Sequence, residues 1–409
     1  MTIRQDAERI INAALQAALP DTAVAKALQG RDFGNGRLLL VAVGKAAWQM
    51  AKTSVELLQN KLDGGVVITK YDHARGDLPG LRIYEAGHPI PDQNSFDATQ
   101  QAIQLVSGLS CDDTVLFLLS GGGSALFEKP LVSPEELQDV TRQLLACGAD
   151  IVEKNTIRKR LSAVKGGRFA QLCAPAKVFS VVLSDIIGDP LDMIASGPAY
   201  PDSSTCAQAL QIAEKYRLQL SDRVRGLLEQ ETPKNLDNVE TRITGSVAQL
   251  CQAAEQTCRA LGYQPLVLTT SLCCTARDAG SFLASVALQH HSPARPLAFI
   301  AGGETVVQLT GKGLGGRNQE LALAAAQGLE GLENALLFSV GSDGTDGPTD
   351  AAGGWCDGAT AAALRQQGID IAAVLRNNDA YHALAACGGL IKTGPTGTNV
   401  NDLTVLLLR

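Results

Sequence analysis

Aromatic residues are scarce: Phe, Tyr and Trp make up 4% of the 409 residues. Any core must therefore be built from Ala, Val, Leu and Ile, and the 45% hydrophobic content supplies them. A basic excess is also missing. The net charge is −7, with 35 Lys and Arg against 42 Asp and Glu, which argues against a broad nucleic-acid surface. The ten cysteines are scattered, with no C-x-x-C pair and no Cys/His cluster at zinc spacing. The expectation is reduced, mostly buried thiols in a cytoplasmic protein, with the adjacent pair Cys273–Cys274 as the one oddity. No apolar run reaches the roughly 18 residues that a membrane span needs. The stretch MTIRQDAERIINAALQAAL reads as an amphipathic helix with acidic residues, unlike a signal peptide. Neither G-x-x-x-x-G-K-[ST] nor a G-x-G-x-x-G after the first strand is present, so the usual nucleotide fingerprints are absent.

Glycine is abundant. Its 41 residues are about a tenth of the chain, against a usual ~7%, and they cluster after strand-like apolar runs. RLLLVAV leads into Gly44 and Lys45. DTVLFLLS leads into Gly121, Gly122 and Gly123. PLAFIA leads into Gly302 and Gly303, and ALLFSV into GSDGTDGPTDAAGG. Helical patterns alternate with these runs, which predicts an α/β fold with a parallel sheet covered on both faces. After Pro198 the texture changes. The polar stretch LLEQETPKNLDNVETRI, with Pro233, reads as a linker. The predicted division is 1–236, a Rossmann-like domain, and 237–409, a smaller α/β domain. Within PLAFIAGGETVVQLTG the Gly302–Gly303 pair suggests a hairpin turn, which would make the second sheet mixed.

In open α/β sheets, ligands bind beyond the carboxyl ends of the strands. Glycines there let backbone N–H groups approach an anion. Ser120 to Ser124 is the leading candidate for such a cradle. Lys45, directly after Gly44 at a strand end, can reach a phosphate. The stretch NTIRKRLSAVKGGRF is the densest basic segment, with Arg158, Lys159, Arg160, Lys165 and Arg168. It is either a solvated helix face or an anion-facing helix end. Asp185 and Asp189 follow a buried strand, and Asp343 and Asp346 lie in a glycine-rich turn. Carboxylates beside anion loops suit Mg²⁺. His88 in GHPIPD is the histidine of most interest. GKGLGG (311–316) reads as a mobile loop that delivers Arg317.

The stretches GKAAWQMA, GHPIPD, LLSGGGSAL, NTIRKRLSAVKGGRFA, VVLSDIIGDPLDMIASGPAYPD, AGGETVVQLTGKGLGGRNQELALAAA, SVGSDGTDGPTDAAGG and TGPTGTNVNDL together resemble the class II glycerate 2-kinases, whose C-terminal domain is called MOFRL. The resemblance runs from Gly44 to Leu403. It implies ATP-dependent phosphorylation of the 2-hydroxyl of D-glycerate, with Mg²⁺, in a cleft between the two domains. It places Lys45 and Arg317 at the centre of the site. The expected nucleotide contacts are Gly44, Ser120, Gly121, Gly122, Gly123, Ser124, Lys165, Gly302, Gly303, Glu304 and Asn318. Arg158, Arg168 and His88 are expected at the glycerate. Asp185 and Asp189 are the first choice for Mg²⁺, with Asp185 also catalytic, and Asp343 and Asp346 the second. The base for the hydroxyl is left open among these aspartates. One departure stands out: LCCTAR puts Thr275 where the family has an acid in an E-G-E-A-R-like segment. Because members are also labelled hydroxypyruvate reductases, an NAD(P)H-dependent reductase is the alternative. A homodimer is a further expectation, with no nucleic-acid or membrane partner.

Overall fold

The structure is a computed structural model that describes residues 2–184, 186–188 and 190–409. Two compact units emerge. One comprises Ala23–Leu183 and Asp189–Thr244; the other comprises Met1–Thr22, Ser184–Gly188 and Gly245–Arg409.

The first unit is built on six strands: β1 (Leu38–Val43), β2 (Gly64–Lys70), β3 (Leu81–Ala86), β4 (Thr114–Leu119), β5 (Lys177–Leu183) and β6 (Val239–Gly245). Their order is β3-β2-β1-β4-β5-β6. The pairs β1–β2, β2–β3, β1–β4 and β4–β5 are parallel. β1 and β4 are buried along their whole length, which is why they read as unbroken apolar runs. Helices cover the sheet, among them Ala47–Leu58, which buries Ala47, Trp48, Met50 and Ala51 against it. The strand order reverses direction between β1 and β4, so the loops after these two strands flank the switch point where such sheets bind ligands.

The second unit holds β7 (Gln264–Leu272), β8 (Leu297–Gly303), β9 (Ala335–Gly341), β10 (Gly353–Asp357), β11 (Leu390–Ile391) and β12 (Asp402–Leu408). The order is β11-β10-β9-β12-β8-β7. β7 runs parallel to β8, and the other pairs are antiparallel. One face packs on helices Ile3–Ala17 and Val247–Ala260, the other on Ala276–Gln289 and Arg317–Leu329.

Three sequence expectations differ from this arrangement. Gly302 and Gly303 do not turn a hairpin: they end β8, and the sheet is mixed because β12 inserts antiparallel between β8 and β9. The stretch read as a linker runs into β6, which lies at the edge of the first sheet, and that unit reaches Thr244. β6 alternates exposed and half-buried positions, and that polar texture hid it. The N-terminal helix belongs to the second unit. Its Ala7, Ile10, Ile11 and Ala14 join the core with Leu250 and Phe338, and Tyr263 Oη donates to Asp6 Oδ2 at 2.7 Å.

Candidate active site

The first cluster forms at the switch point of the first unit. β1 ends at Val43 and the chain turns at Gly44, whose φ is +120, a conformation that side chains resist. Thr69 Oγ1 donates to the Gly44 carbonyl at 3.0 Å. The turn is then tied to the loop after β4. Lys45 N donates to the Gly121 carbonyl at 2.9 Å, and Ala46 N donates to Ser120 Oγ at 3.1 Å. Ser120 therefore joins the two loops through its hydroxyl.

Gly122 has φ +88 and sits against two functional side chains. A Cβ there would lie 3.0 Å from His88 Cδ2, 3.2 Å from His88 Nε2 and 3.3 Å from Lys45 Cγ. The N–H groups of Gly121 and Gly122 meet no acceptor among the described residues. Bare amides, Lys45 and His88 are thus neighbours. Burial, followed by the cations Lys45 and Lys70, holds the His88 imidazole below its ordinary pKa, which favours the neutral ring.

Beneath the loop, Ser124 Oγ lies 3.2 Å from Ser196 Oγ, which donates to Asn155 Oδ1 at 3.2 Å. Ala195 and Ser196 have left-handed backbones, with φ of +50 and +62, a conformation costing on the order of 1–3 kcal/mol each. Arg158 Nη2 reaches the Ser124 carbonyl at 3.5 Å, and its buried Nε has no hydrogen-bond partner among the described residues. Arg158 is therefore next to the loop with donors to spare.

The rest of the basic stretch faces inward, neither solvated nor open to an anion. Lys159 pairs with Asp202 at 2.9 Å, with both side chains buried. Arg160 donates to Thr156 and Ser204. Lys165, fully buried, pairs with Glu128 at 2.8 Å and donates to the Phe127 carbonyl at 2.8 Å. Burial depresses its pKa and Glu128 opposes the shift. Arg168 Nη1 donates to the carbonyls of Lys159, Arg160 and Ser162. Lys165 and Arg168 thus already have partners within the fold, which the expectation of ligand contacts did not anticipate.

The second cluster surrounds Arg317 in the second unit. Helix Arg317–Leu329 starts after Gly316, and Asp346 caps it, accepting from Asn318 N at 3.1 Å and Gln319 N at 2.9 Å. Arg317 Nε lies 2.5 Å from Asp402 Oδ2, and Nη2 lies 3.0 Å from Oδ1. Nη1 meets Glu304 Oε1 at 2.9 Å, and Asn401 Nδ2 donates to Glu304 Oε2 at 3.2 Å. Burial opposes the Arg317 charge, but Asp402 and Glu304 outweigh it and raise its pKa. Burial raises the Asp402 pKa, against the pull of Arg317.

Several expected residues have other duties here. Asn318 is buried, donates to Asp346 Oδ1 and accepts from Ser339 Oγ at 2.6 Å. Gly302 lets helix Val247–Ala260 close on β8; a Cβ there would lie 2.5 Å from Cys251 Sγ. A Cβ on Gly303 would strike the Leu272 backbone. Both glycines are explained by packing. Segment 311–316 is not loose: Gly311 N donates to Asn378 Oδ1 at 2.8 Å and Leu314 N to Asp379 Oδ1 at 2.9 Å. Thr275 caps helix Ala276–Gln289, with its Oγ1 accepting from Asp278 N.

Among the described residues, the two second-choice carboxylates for Mg²⁺ are engaged within the fold. Asp346 is buried and committed to capping, and Asp343 Oδ1 accepts from Thr345 N at 2.9 Å in a turn. Among the described residues no group of three His, Cys, Asp or Glu side chains could hold a metal ion. Asp185 and Asp189 lie outside the described residues. Also among these, no helix is long and apolar enough to cross a membrane. Asp402, the firmest partner of Arg317, was not singled out from the sequence. Its signal is a carboxylate opening the buried strand DLTVLLL, whose other residues are apolar except Thr404.

The chain thus joins an α/β unit of Rossmann strand order, with a glycine-rich loop at its switch point, to a mixed-sheet unit that cages Arg317 between carboxylates, the architecture of an α/β enzyme class. Residues 6–229 match a family described as a domain of unknown function (DUF4147), and residues 297–402 match the MOFRL family. A D-glycerate 2-kinase from Thermotoga maritima is 52% identical over all of this chain and 99% of its own. The crystal structure of a glycerate kinase from Thermotoga maritima superposes with TM-score 0.95 at 52% identity, covering 99% of each chain. An Agrobacterium vitis relative, 38% identical over all of this chain and 95% of its own, carries the name hydroxypyruvate reductase. The chain belongs to the glycerate 2-kinase family with a MOFRL C-terminal region.

Proposed function

We propose that this chain transfers the γ-phosphoryl group of ATP to the 2-hydroxyl of D-glycerate. The observation that carries the reading is the close approach of His88 and Lys45 to Gly122, beside amides that meet no acceptor among the described residues. Phosphoryl transfer asks the protein for positioning and charge neutralisation more than for covalent chemistry. The amides of Gly121 and Gly122 hold phosphate oxygens, and Lys45 meets the charge of the transferring group. Arg158 receives the glycerate carboxylate. The neutral His88 ring accepts the hydroxyl proton, a role the sequence reading had left to an aspartate.

Arg317 is a further candidate cation, whose planar fork matches phosphate oxygens. Mg²⁺ belongs to the proposal as a counter-ion to the polyphosphate. Its assignment to Asp185 and Asp189 rests on sequence position alone. A reductase would need a dinucleotide, whereas the turn after β1 is Gly44-Lys45-Ala46 without the glycine fingerprint.

The test is to incubate the protein with ATP, Mg²⁺ and D-glycerate and locate the new phosphoester by ³¹P and ¹³C NMR. The expected product is 2-phosphoglycerate. An absence of phosphorylated product, together with NAD(P)H oxidation on hydroxypyruvate, would overturn the reading.

A further inference from the structure

Cys273 and Cys274 are adjacent and both exposed. The expectation of buried thiols holds for Cys173, Cys251, Cys258 and Cys356, and Cys111 is the other exposed cysteine. The pair lies between the end of β7 and helix Ala276–Gln289. Its backbone is laced to the segment that carries Glu304. Glu304 N donates to the Leu272 carbonyl at 2.8 Å, Val306 N donates to the Cys274 carbonyl at 3.1 Å, and Ala276 N donates to the Val306 carbonyl at 2.9 Å. Thr275 and Val306 form a parallel bridge. Any change in the Cys273–Cys274 peptide is therefore felt by the residue that shares Arg317 with Asp402.

We propose that Cys273 and Cys274 are a dithiol modification site, closed by small disulfides into a Cys273–Cys274 bond that displaces the Glu304–Val306 segment. One cysteine thiolate attacks a sulfur of the external disulfide, whose S–S bond breaks and releases one thiolate. The neighbouring cysteine thiolate then attacks the protein-bound sulfur and releases the second. The pair is oxidised by two electrons, the external disulfide is reduced to two thiols, and the cysteine protons pass to the released thiolates. Adjacent Cα atoms across a trans peptide are ~3.8 Å apart, whereas disulfides prefer about 4.4–6.8 Å. Closure therefore bends the backbone at the point where the ladder to Glu304 begins, and the strain keeps the bond easily reduced. Only the consequence for turnover rests on the role given to Arg317.

The test uses the intact chain and oxidised glutathione, with two readouts that need neither ATP nor glycerate. Peptide mass analysis is expected to show Cys273–Cys274 as an internal disulfide without a glutathione adduct, while Cys111, with no neighbouring cysteine, keeps its adduct. Cys274→Ser is expected to hold the adduct on Cys273. Hydrogen exchange at the Glu304 and Val306 amides is expected to quicken at least ~10-fold on oxidation and to return on adding dithiothreitol. Cys273→Ser and Cys274→Ser should show no such change. Glutathione adducts that persist on both cysteines would overturn the proposal, as would closure with unchanged exchange at the two amides.

Discussion

Arg317 and Asp402 form a two-point ion pair, with Nε 2.5 Å from Oδ2 and Nη2 3.0 Å from Oδ1. Asp402 is buried at the start of β12, between Gly303 and Gly341 in register, so the guanidinium is aimed by a fixed part of the sheet. Glu304 is more exposed, at 45% of its side chain against 7% for Asp402. In the proposed phosphate contact, the outer nitrogen, Nη1, is the one that would exchange partners.

Asp402→Asn is expected to fold and to lower kcat by roughly 10–100-fold, the equivalent of one charge-assisted hydrogen bond. Arg317→Ala is expected to lose at least ~10³. Steady-state kinetics beside circular dichroism would check both. An Asp402→Asn variant with the parent's kcat would show that the pair does not aim the arginine.

Removing the proposed base gives a different signature. His88→Ala is expected to reduce kcat by about 10²–10⁴, the usual contribution of a general base. In the parent protein the acid limb of the kcat profile should fall below the ordinary histidine range, because burial and neighbouring cations depress this ring's pKa. A variant profile that keeps the same limb would assign it to another group.

Gly122→Ala tests the cradle. The positive φ makes any side chain cost about 1–2 kcal/mol, which should appear as a lower Tm. The added methyl would also press on His88 and Lys45. The expected result is a folded protein with kcat/KM for ATP down at least ~10-fold. Unchanged kcat/KM would place the nucleotide elsewhere.

Asp346 carries a pH signature in stability. Burial lifts its carboxyl from 3.8 to about 6, despite the amides of Gln319 and Asn318. With the folded pKa above the unfolded one, the stabilising contribution is fully present below pH 3.8 and is lost as pH rises through about 6. Relative to Asp346→Asn, the parent should lose up to roughly 1.4 kcal/mol per pH unit across that window and nothing further above it. Urea titrations at pH 4, 5, 6 and 7, all order-of-magnitude spaced steps (~1 unit) on that scale, would reveal the slope or its absence.

The Lys165–Glu128 pair offers a contrast. Lys165→Met alone leaves Glu128 buried without its cation and should cost about 3–5 kcal/mol. The double variant Lys165→Met, Glu128→Leu should recover most of that loss, because the charges leave together. If the single variant were as stable as the parent, the pair would not be a scaffold element.

The first sheet was legible because β1 and β4 are buried on both faces, and continuous apolar runs announce that directly. The glycines after them were legible too, since a turn at φ +88 or +120 leaves few other choices. What the sequence hid was direction and partnership. Lys165 and Arg168 look like available cations until the fold supplies Glu128 and three carbonyls. Gly302 looks like an anion loop until Cys251 closes over it. Asp402 lies 85 residues from Arg317 along the chain, and no local pattern connects them. Glu304 was expected as a nucleotide contact, and its partnership with Arg317 is visible only in three dimensions.

The second unit borrows its first helix from the opposite end of the chain: Asp6 meets Tyr263 and the terminal Arg409. During synthesis the first unit can therefore finish while helix Ile3–Ala17 still waits for its sheet. Cutting away that helix should strip the cover from β9 and its neighbours.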